Sequence, residues 1–220
     1  MSKLRFTISV SLDGFVAGPD QSVEEPLGRG GEQLHEWAVR LRSWRQAHGL
    51  EGGAVEDDDE NDNKVMRESI ANVGATIMGR NMFGGQPGPW DRTEPWRGWW
   101  GKDPPFRHPV FVLTHHARES LGFDNGTSFT FVTDGIESAL DRARQAAGDQ
   151  YVNIGGGADV ARQYLGADLI DELELHLVPV LLGGGTRLFD GAGSDLHGLE
   201  LLRTLTGDGV VHLKLARGLR

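Results

Sequence analysis

The chain has 220 residues, 32 of them glycine, and no cysteine. The absence of cysteine excludes disulfides, thiolate metal sites and thiol nucleophiles, while glycine at about twice ordinary usage points to tight turns and backbone drawn close to ligands. A formal net charge of −10 would repel a polyanion, so nucleic acid is not an expected partner.

Taken in chain order, Phe6, Ile8 and Val10 alternate with Thr7, Ser9 and Ser11, the period of a strand that Asp13-Gly14 breaks. From Glu32 to His48 the spacing predicts a helix, with Leu34, Trp37, Ala38, Leu41 and Trp44 forming one apolar stripe. Glu56-Asp57-Asp58-Asp59-Glu60 reads as a solvated loop, because adjacent acids do not converge on one point. Asn61 or Asp62 then caps a short expected helix that Gly74 ends, and Ala75–Met78 is a short buried strand. Residues 84–109 carry no period and hold Trp90, Trp96, Trp99 and Trp100 among prolines; a structureless stretch of that length is often functional.

Strands are expected at Val110–Leu113, Phe129–Val132 and Tyr151–Ile154, with helices around 136–147 and 160–165. Leu173, Leu175 and Leu177 alternate with Glu172, Glu174 and His176, so the acids read as a strand's polar face. Leu199–Leu205 and Val210–Leu215 flank Gly207-Asp208-Gly209, a hairpin signal. Strands separated by helices predict an α/β fold with a mostly parallel sheet and an antiparallel edge. One domain over 1–220 is expected, with an insertion at about 20–62. No run approaches about 18 consecutive apolar residues, so no membrane span is expected. The N-terminus has no apolar leader, which predicts a cytoplasmic protein.

Three strand ends carry chemistry. Gly155-Gly156-Gly157-Ala158-Asp159-Val160 runs from a buried strand into a helix start, where bare amides suit a phosphate; the alternative is a plain strand-to-helix turn. The G-x-G-x-x-G pattern is incomplete, since Val160 replaces its third glycine. Gly79-Arg80 offers a planar cation to a phosphate, or else an ordinary surface ion pair. Thr114-His115 ends a third strand, with His116 and Arg118 nearby. Ligands of open parallel sheets bind beyond such carboxyl ends, so the three together frame one extended phosphate-bearing cofactor. His108, His115 and His116 lack ligand spacing, and no metal is expected.

The blocks Ser11–Ala17, Met78–Phe83, Val112–Thr114, Ile154–Gly157 and His176–Phe189 resemble, in order, the dihydrofolate-reductase-like superfamily, and within it the RibD C-terminal reductase domain and its stand-alone relatives. The resemblance covers nearly the whole chain except 20–62 and 84–108. It implies a three-layer fold, a mixed, mostly parallel sheet with helices on both faces and a C-terminal antiparallel hairpin. It also implies NADPH as hydride donor and a homodimer. By position, Gly79, Arg80, Asn81 and Met82 would hold the cofactor phosphates, and Thr114 and His115 would lie by the adenosine ribose. Gly155, Gly156, Gly157, Ala158, Asp159 and Val160 would cradle the pyrophosphate. Ser9, Val10, Val16 and Ala17 would flank the nicotinamide, and Gly183, Gly184, Gly185 and Thr186 would close the substrate side. Arg187 and Phe189 match the motif without an assigned role. The zinc deaminase that accompanies this reductase in the bifunctional enzyme needs cysteine ligands, so the reductase half alone is expected.

The reaction so implied is hydride transfer to a small heterocyclic or carbonyl/imine substrate, resembling 5-amino-6-(5-phosphoribosylamino)uracil reductase and dihydrofolate reductase. Asp13 is the candidate proton source, or else a turn residue beside Gly14. Glu32, His35 and Glu36 lie where a catalytic acid would fall but read as a polar helix face. Trp37 and Trp44 read as core. Trp90 and the other loop tryptophans either stack on a flat substrate as a lid or bury at a dimer interface. Two other functions stay open: a non-catalytic nucleotide-binding dimer, and the same fold carrying a flavin.

Overall fold

The computed structural model describes residues 2–53, 60–86, 88–191 and 198–218. Most of the acidic run, Glu56–Asp59, lies outside the described residues, as does Pro87 of the tryptophan loop. The elements are β1 (Leu4–Ser11), β2 (Phe15–Ala17), a 3-10 turn (Gly31–Leu34), α1 (Glu36–Val39), α2 (Arg42–Ala47), α3 (Glu60–Ile70), β3 (Val73–Gly79), α4 (Arg80–Phe83), β4 (Pro109–Leu113), β5 (Leu121–Gly122), β6 (Ser128–Val132), α5 (Ile136–Ala147), β7 (Tyr151–Gly156), α6 (Ala158–Gly166), β8 (Glu172–Val178), β9 (Thr186–Arg187), β10 (Leu199–Thr206) and β11 (Val211–Arg217). The fold is mixed α/β, with a mostly parallel sheet and an antiparallel hairpin at the C-terminal end. The chain forms two compact units, Met1–Arg5 with Asn72–Leu169, and Phe6–Ala71 with Ile170–Arg220.

In the first unit the strand order is β7-β3-β4-β6-β5. The first four run parallel and β5 closes the edge antiparallel. Ala75, Ile77, Met78, Val110 and Val112 are fully buried, the near-continuous apolar pattern of strands covered on both faces. Ala139, Leu140, Ala143 and Ala147 are the buried stripe of α5. Tyr164 of α6 is fully buried and donates its hydroxyl to the Ile136 carbonyl at 2.7 Å.

In the second unit the order is β10-β11-β8-β1. β8 departs from the expected half-exposed strand: Glu172, Glu174 and His176 are 5%, 2% and 3% exposed. Each polar side chain has its own partner. Glu174 accepts from Arg203, Glu172 pairs with Lys214, and His176 meets His212. A buried charge survives only when so paired. The helix predicted over 32–48 is broken into the 3-10 turn, α1 and α2, with Leu41 extended between the last two (ψ 139°). The stripe nevertheless reaches the core as expected: Leu34, Trp37, Ala38 and Leu41 pack with Met66, Val178 and Val210, and Trp44 lies against them. Asp62 does not cap α3. It lies within the helix, fully buried.

Candidate functional site

Three of the predicted strand ends meet in the first unit. β3 carries Gly79 opposite Leu113 of β4 and Met78 opposite Gly156 of β7. The glycines there are required by their neighbours. A Cβ at Gly79 would stand 2.9 Å from Val160 Cγ2, and one at Gly155 the same distance from Thr76 Cγ2. Gly156 has φ +121°, and the Gly156–Gly157 peptide is cis. Gly157 precedes α6 with extended backbone and no side-chain cap, so the amides of the first turn are not taken by a capping side chain. Ala158 and Val160 turn inward, while Asp159 is exposed and ion-paired with Arg162. The arrangement is a side-chain-free backbone surface leading into a helix N-terminus, which suits an anion.

Asn81 and Met82 are exposed beside it. Thr114 is buried, its hydroxyl accepting from the His116 amide at 3.1 Å, and His115 is exposed. Arg80 is committed elsewhere than to an ion pair. Its guanidinium lies 3.4 Å from the Trp90 ring centroid and donates to the carbonyls of Gly84 and Gln86. Its Nε is sealed without a partner. Burial, with Arg118 nearby, lowers its pKa to about 10.

The tryptophan loop packs on the first unit's own core. Trp96 and Trp99 donate their indole N–H to the carbonyls of Phe83 and Met82 at 2.9 and 3.0 Å, capping the open end of α4. Trp90 donates to the His116 carbonyl at 2.7 Å and meets Phe83 and Phe131 edge-on. Trp100 lies against Phe106 and Phe129. Arg118 stands over Trp90 and Phe131 and donates to the Trp96 carbonyl. Four large rings in one loop are thus explained by intramolecular packing, a use the sequence reading did not weigh. Burial also lowers the pKa of His108, which is hydrogen-bonded to Thr76, to about 4.

In the second unit, Asp13 sits in the turn after β1. Its carboxylate accepts from the Ser11 hydroxyl (2.6 Å) and from the amides of Leu182 (3.2 Å) and Gly183 (2.8 Å). These bonds, led by that from Ser11, lower its pKa to about 2. An acid so held is a fixed anion at neutral pH and a poor proton donor; its bonds anchor the turn after β1 to the Leu182–Gly183 backbone. Arg187 gains a role: it donates to the Asp13 carbonyl at 2.8 Å and lies over the Phe15 ring. β2 pairs with β9, placing Ala17 opposite Thr186. At Gly185 a Cβ would come within 2.1 Å of the Ala17 carbonyl oxygen, so only glycine fits. Gly183 is exposed and Gly184 half-buried. Val10, Val16 and Ala17 are buried, and so is Ser9, whose hydroxyl accepts from Trp37 Nε1 at 3.0 Å.

Sequence reasoning missed a buried polar chain in this unit. Asp62 Oδ1 lies 2.8 Å from His212 Nε2, and His212 Nδ1 lies 2.8 Å from His176 Nδ1. The pairs are 150 and 36 residues apart in sequence, so no local spacing announces them. Glu32 and Glu36 are exposed, as expected of a polar face, whereas His35 is half-buried and its pKa is lowered by burial.

The fold is shared with solved reductases. A putative riboflavin biosynthesis protein from Shewanella sp. PV-4 superposes with a TM-score of 0.59 at 20% identity, covering all of both chains. The diaminohydroxyphosphoribosylaminopyrimidine deaminase/5-amino-6-(5-phosphoribosylamino)uracil reductase of Thermotoga maritima gives 0.54 at 14% identity over 99% of this chain and 57% of that one. Dihydrofolate reductase from Enterococcus faecalis, complexed with NADP(H), gives 0.53 at 15% identity over 98% and 96%. A 60-residue match at 35% identity links the chain to the uncharacterized protein YwjB of Bacillus subtilis (strain 168), over 27% of this chain and 34% of that relative. With the RibD C-terminal domain model matching residues 2–213, the chain belongs to the RibD C-terminal domain family.

Proposed function

We propose that the protein is an NADPH-dependent reductase that passes hydride to a small heterocyclic or carbonyl/imine substrate, in the manner of 5-amino-6-(5-phosphoribosylamino)uracil reductase. The observation that carries this reading is the glycine surface at Gly79, Gly155 and Gly156 leading into the uncapped start of α6. Each of these positions would be filled by a Cβ or strained by one, as expected where backbone must approach a ligand. Support also comes from the NADP(H)-bound state of the Enterococcus faecalis relative.

NADPH supplies the hydride when bound. Amides from Gly157 to Val160 would hold its pyrophosphate, with Gly79, Asn81 and Met82 alongside. Arg80 adds charge nearby and holds Trp90 in place. Thr114 and His115 lie on the adenosine side. Ser9, Val10, Val16 and Ala17 would flank the nicotinamide, and Gly183–Thr186, positioned by Asp13, would close the substrate side. The working form is a cytoplasmic homodimer. Among the described residues, no helix is long and apolar enough to cross a membrane.

Titrating the protein into NADPH and following nicotinamide emission tests the reading. Saturable binding is expected, and no binding at millimolar cofactor refutes it. A second reading, the non-catalytic nucleotide-binding dimer, is favoured by one observation: Asp13, the acid expected to supply a proton, has its carboxylate occupied by three donors. NADPH binding without turnover across pterins, flavin precursors and quinones identifies that case.

A further inference from the structure

We propose that Asp62, His212 and His176 form a proton relay whose outer end, Nε2 of His176, hands over the proton that accompanies hydride transfer. The inference rests on the reductase reading and supplies the proton source that Asp13 does not.

All three side chains are buried, at 0%, 1% and 3% exposure. A carboxylate only accepts, so His212 Nε2 carries the hydrogen in its 2.8 Å bond to Asp62 Oδ1. In the neutral state that leaves His212 Nδ1 as an acceptor. His176 Nδ1 must then be the donor across 2.8 Å, and His176 Nε2 is left with a free lone pair. Among the described residues nothing bonds that nitrogen. A purely structural network closes both of its ends; this one closes at Asp62 and opens at His176. Asp62 is itself fixed: its second oxygen accepts from the Asp208 amide at 3.2 Å, and Arg40 stands 3.8 Å away while pairing with Asp208. A Cβ at Gly207 would fall on the Asp62 carboxylate, so the hairpin turn is shaped around it.

The pair packs against Trp37, which in turn touches the place where the reaction is assigned. The Trp37 ring centroid is 4.6 Å from that of His176 and 5.0 Å from that of His212, and the Trp37 indole N–H bonds Ser9, a residue assigned to the nicotinamide. Asp62, Arg40 and Asp208 stand at the closed end of the pair, His35 is a titratable neighbour of His176, and Glu174 and Lys214 follow the two histidines on the same face of β8 and β11. Burial first, then His212 and His35, holds His176 well below the usual histidine range. Of the two rings, His212 is the one that faces the Asp62 carboxylate, at 2.8 Å.

The step balances. In the charged state His212 carries hydrogen on both nitrogens and His176 carries one on Nε2. Hydride adds to the substrate carbon as the C=N or C=O π pair moves to the heteroatom. The Nε2 proton of His176 passes to that heteroatom, and the Nδ1 proton of His212 moves to His176 Nδ1. Both histidines end neutral, and solvent restores the proton after product leaves.

Two substitutions separate relay from scaffold. His176→Asn places a polar atom near Nδ1 and removes the outer nitrogen, and Asp62→Asn removes the negative charge that holds the stored proton. With both variants folded by circular dichroism and NADPH affinity within twofold of wild type, kcat for His176→Asn is expected to fall about 10²-fold or more. In Asp62→Asn the decline of kcat with rising pH is expected to begin at lower pH, because the stored cation has lost its counter-charge. Retention of kcat within threefold in His176→Asn, or an unmoved pH profile in Asp62→Asn, overturns the relay. Failure of the wild-type protein to bind NADPH overturns the reductase reading instead. Nitrogen-15 shifts of the histidine rings then decide the chain without turnover: at a pH where both rings are neutral, an Nδ1–H tautomer for His176 is expected, and an Nε2–H tautomer in that state refutes the arrangement.

Discussion

Phe83→Ala is the sharpest test of how the tryptophan loop is held. Phe83 is fully buried, and its ring meets Trp90, Phe129 and Phe131 edge-on at centroid distances of 5.8, 5.1 and 5.2 Å. Truncating a buried phenylalanine removes its transfer free energy and leaves a cavity, about 3–5 kcal/mol together. Edge-to-face pairs add about 0.5–1.5 kcal/mol each but share one ring, so they do not sum freely. About 4 kcal/mol is a reasonable centre, a large fraction of the roughly 5–15 kcal/mol that stabilises a folded domain. At a urea dependence of about 3 kcal/mol per molar, the unfolding midpoint falls by about 1.3 M. Urea titration followed by far-ultraviolet circular dichroism measures it, with Phe189→Ala as the comparison, since Phe189 is 39% exposed. A Phe83→Ala shift below about 1 kcal/mol, or one equal to that of Phe189→Ala, would refute the assignment of the loop to this core.

Gly79→Ala is expected to cost about 1–3 kcal/mol by overpacking, since its Cβ meets Val160 at 2.9 Å. Val160→Ala in the same chain should recover part of that loss, and a purely additive double mutant contradicts the contact. Asp13 titrates in the folded state near 2, below its unfolded value. Its stabilising bonds are therefore complete above about pH 4 and lost as pH falls through about 2, and Asp13→Asn should flatten that window in acid unfolding curves. His108 should titrate by NMR near pH 4. Being a base with a depressed pKa, it destabilises the fold as pH drops from about 6.5 towards 4; a normal titration would show that Thr76 and the surrounding rings do not exclude water from it.

What the sequence made legible was what local pattern controls. The apolar run Ala75–Met78 and the stripe Ile136–Ala147 became β3 and α5 because burial and period agree there. The glycines at 79 and 155–157 signalled backbone exposure, and the chain places them on adjacent strands. Pairing across distance was invisible. Alternation in Glu172–Leu177 marked a polar face, yet Arg203, Lys214 and His212 come from strands that follow it and bury that face. Asp62 resembled a cap because aspartate before an apolar stripe often is one. Its real partner arrives 150 residues later. Asp13 looked equally like turn or acid, since the amides that fix its charge belong to Leu182 and Gly183.

The two compact units are interleaved along the chain, and this sets an order for folding during synthesis. The first unit takes residues 1–5 and then 72–169, so its last strand and helix are available once residue 169 has emerged. The second begins at Phe6 yet draws β8, β10 and β11 from the final stretch, Ile170–Arg220. Its helices must therefore wait, with Leu34, Trp37 and Leu41 uncovered, while the whole first unit is made. Long-range pairing of this kind slows folding and leaves apolar surface open to misassociation. Truncation at the C-terminal side should accordingly damage the earliest-made helices as much as the strands removed.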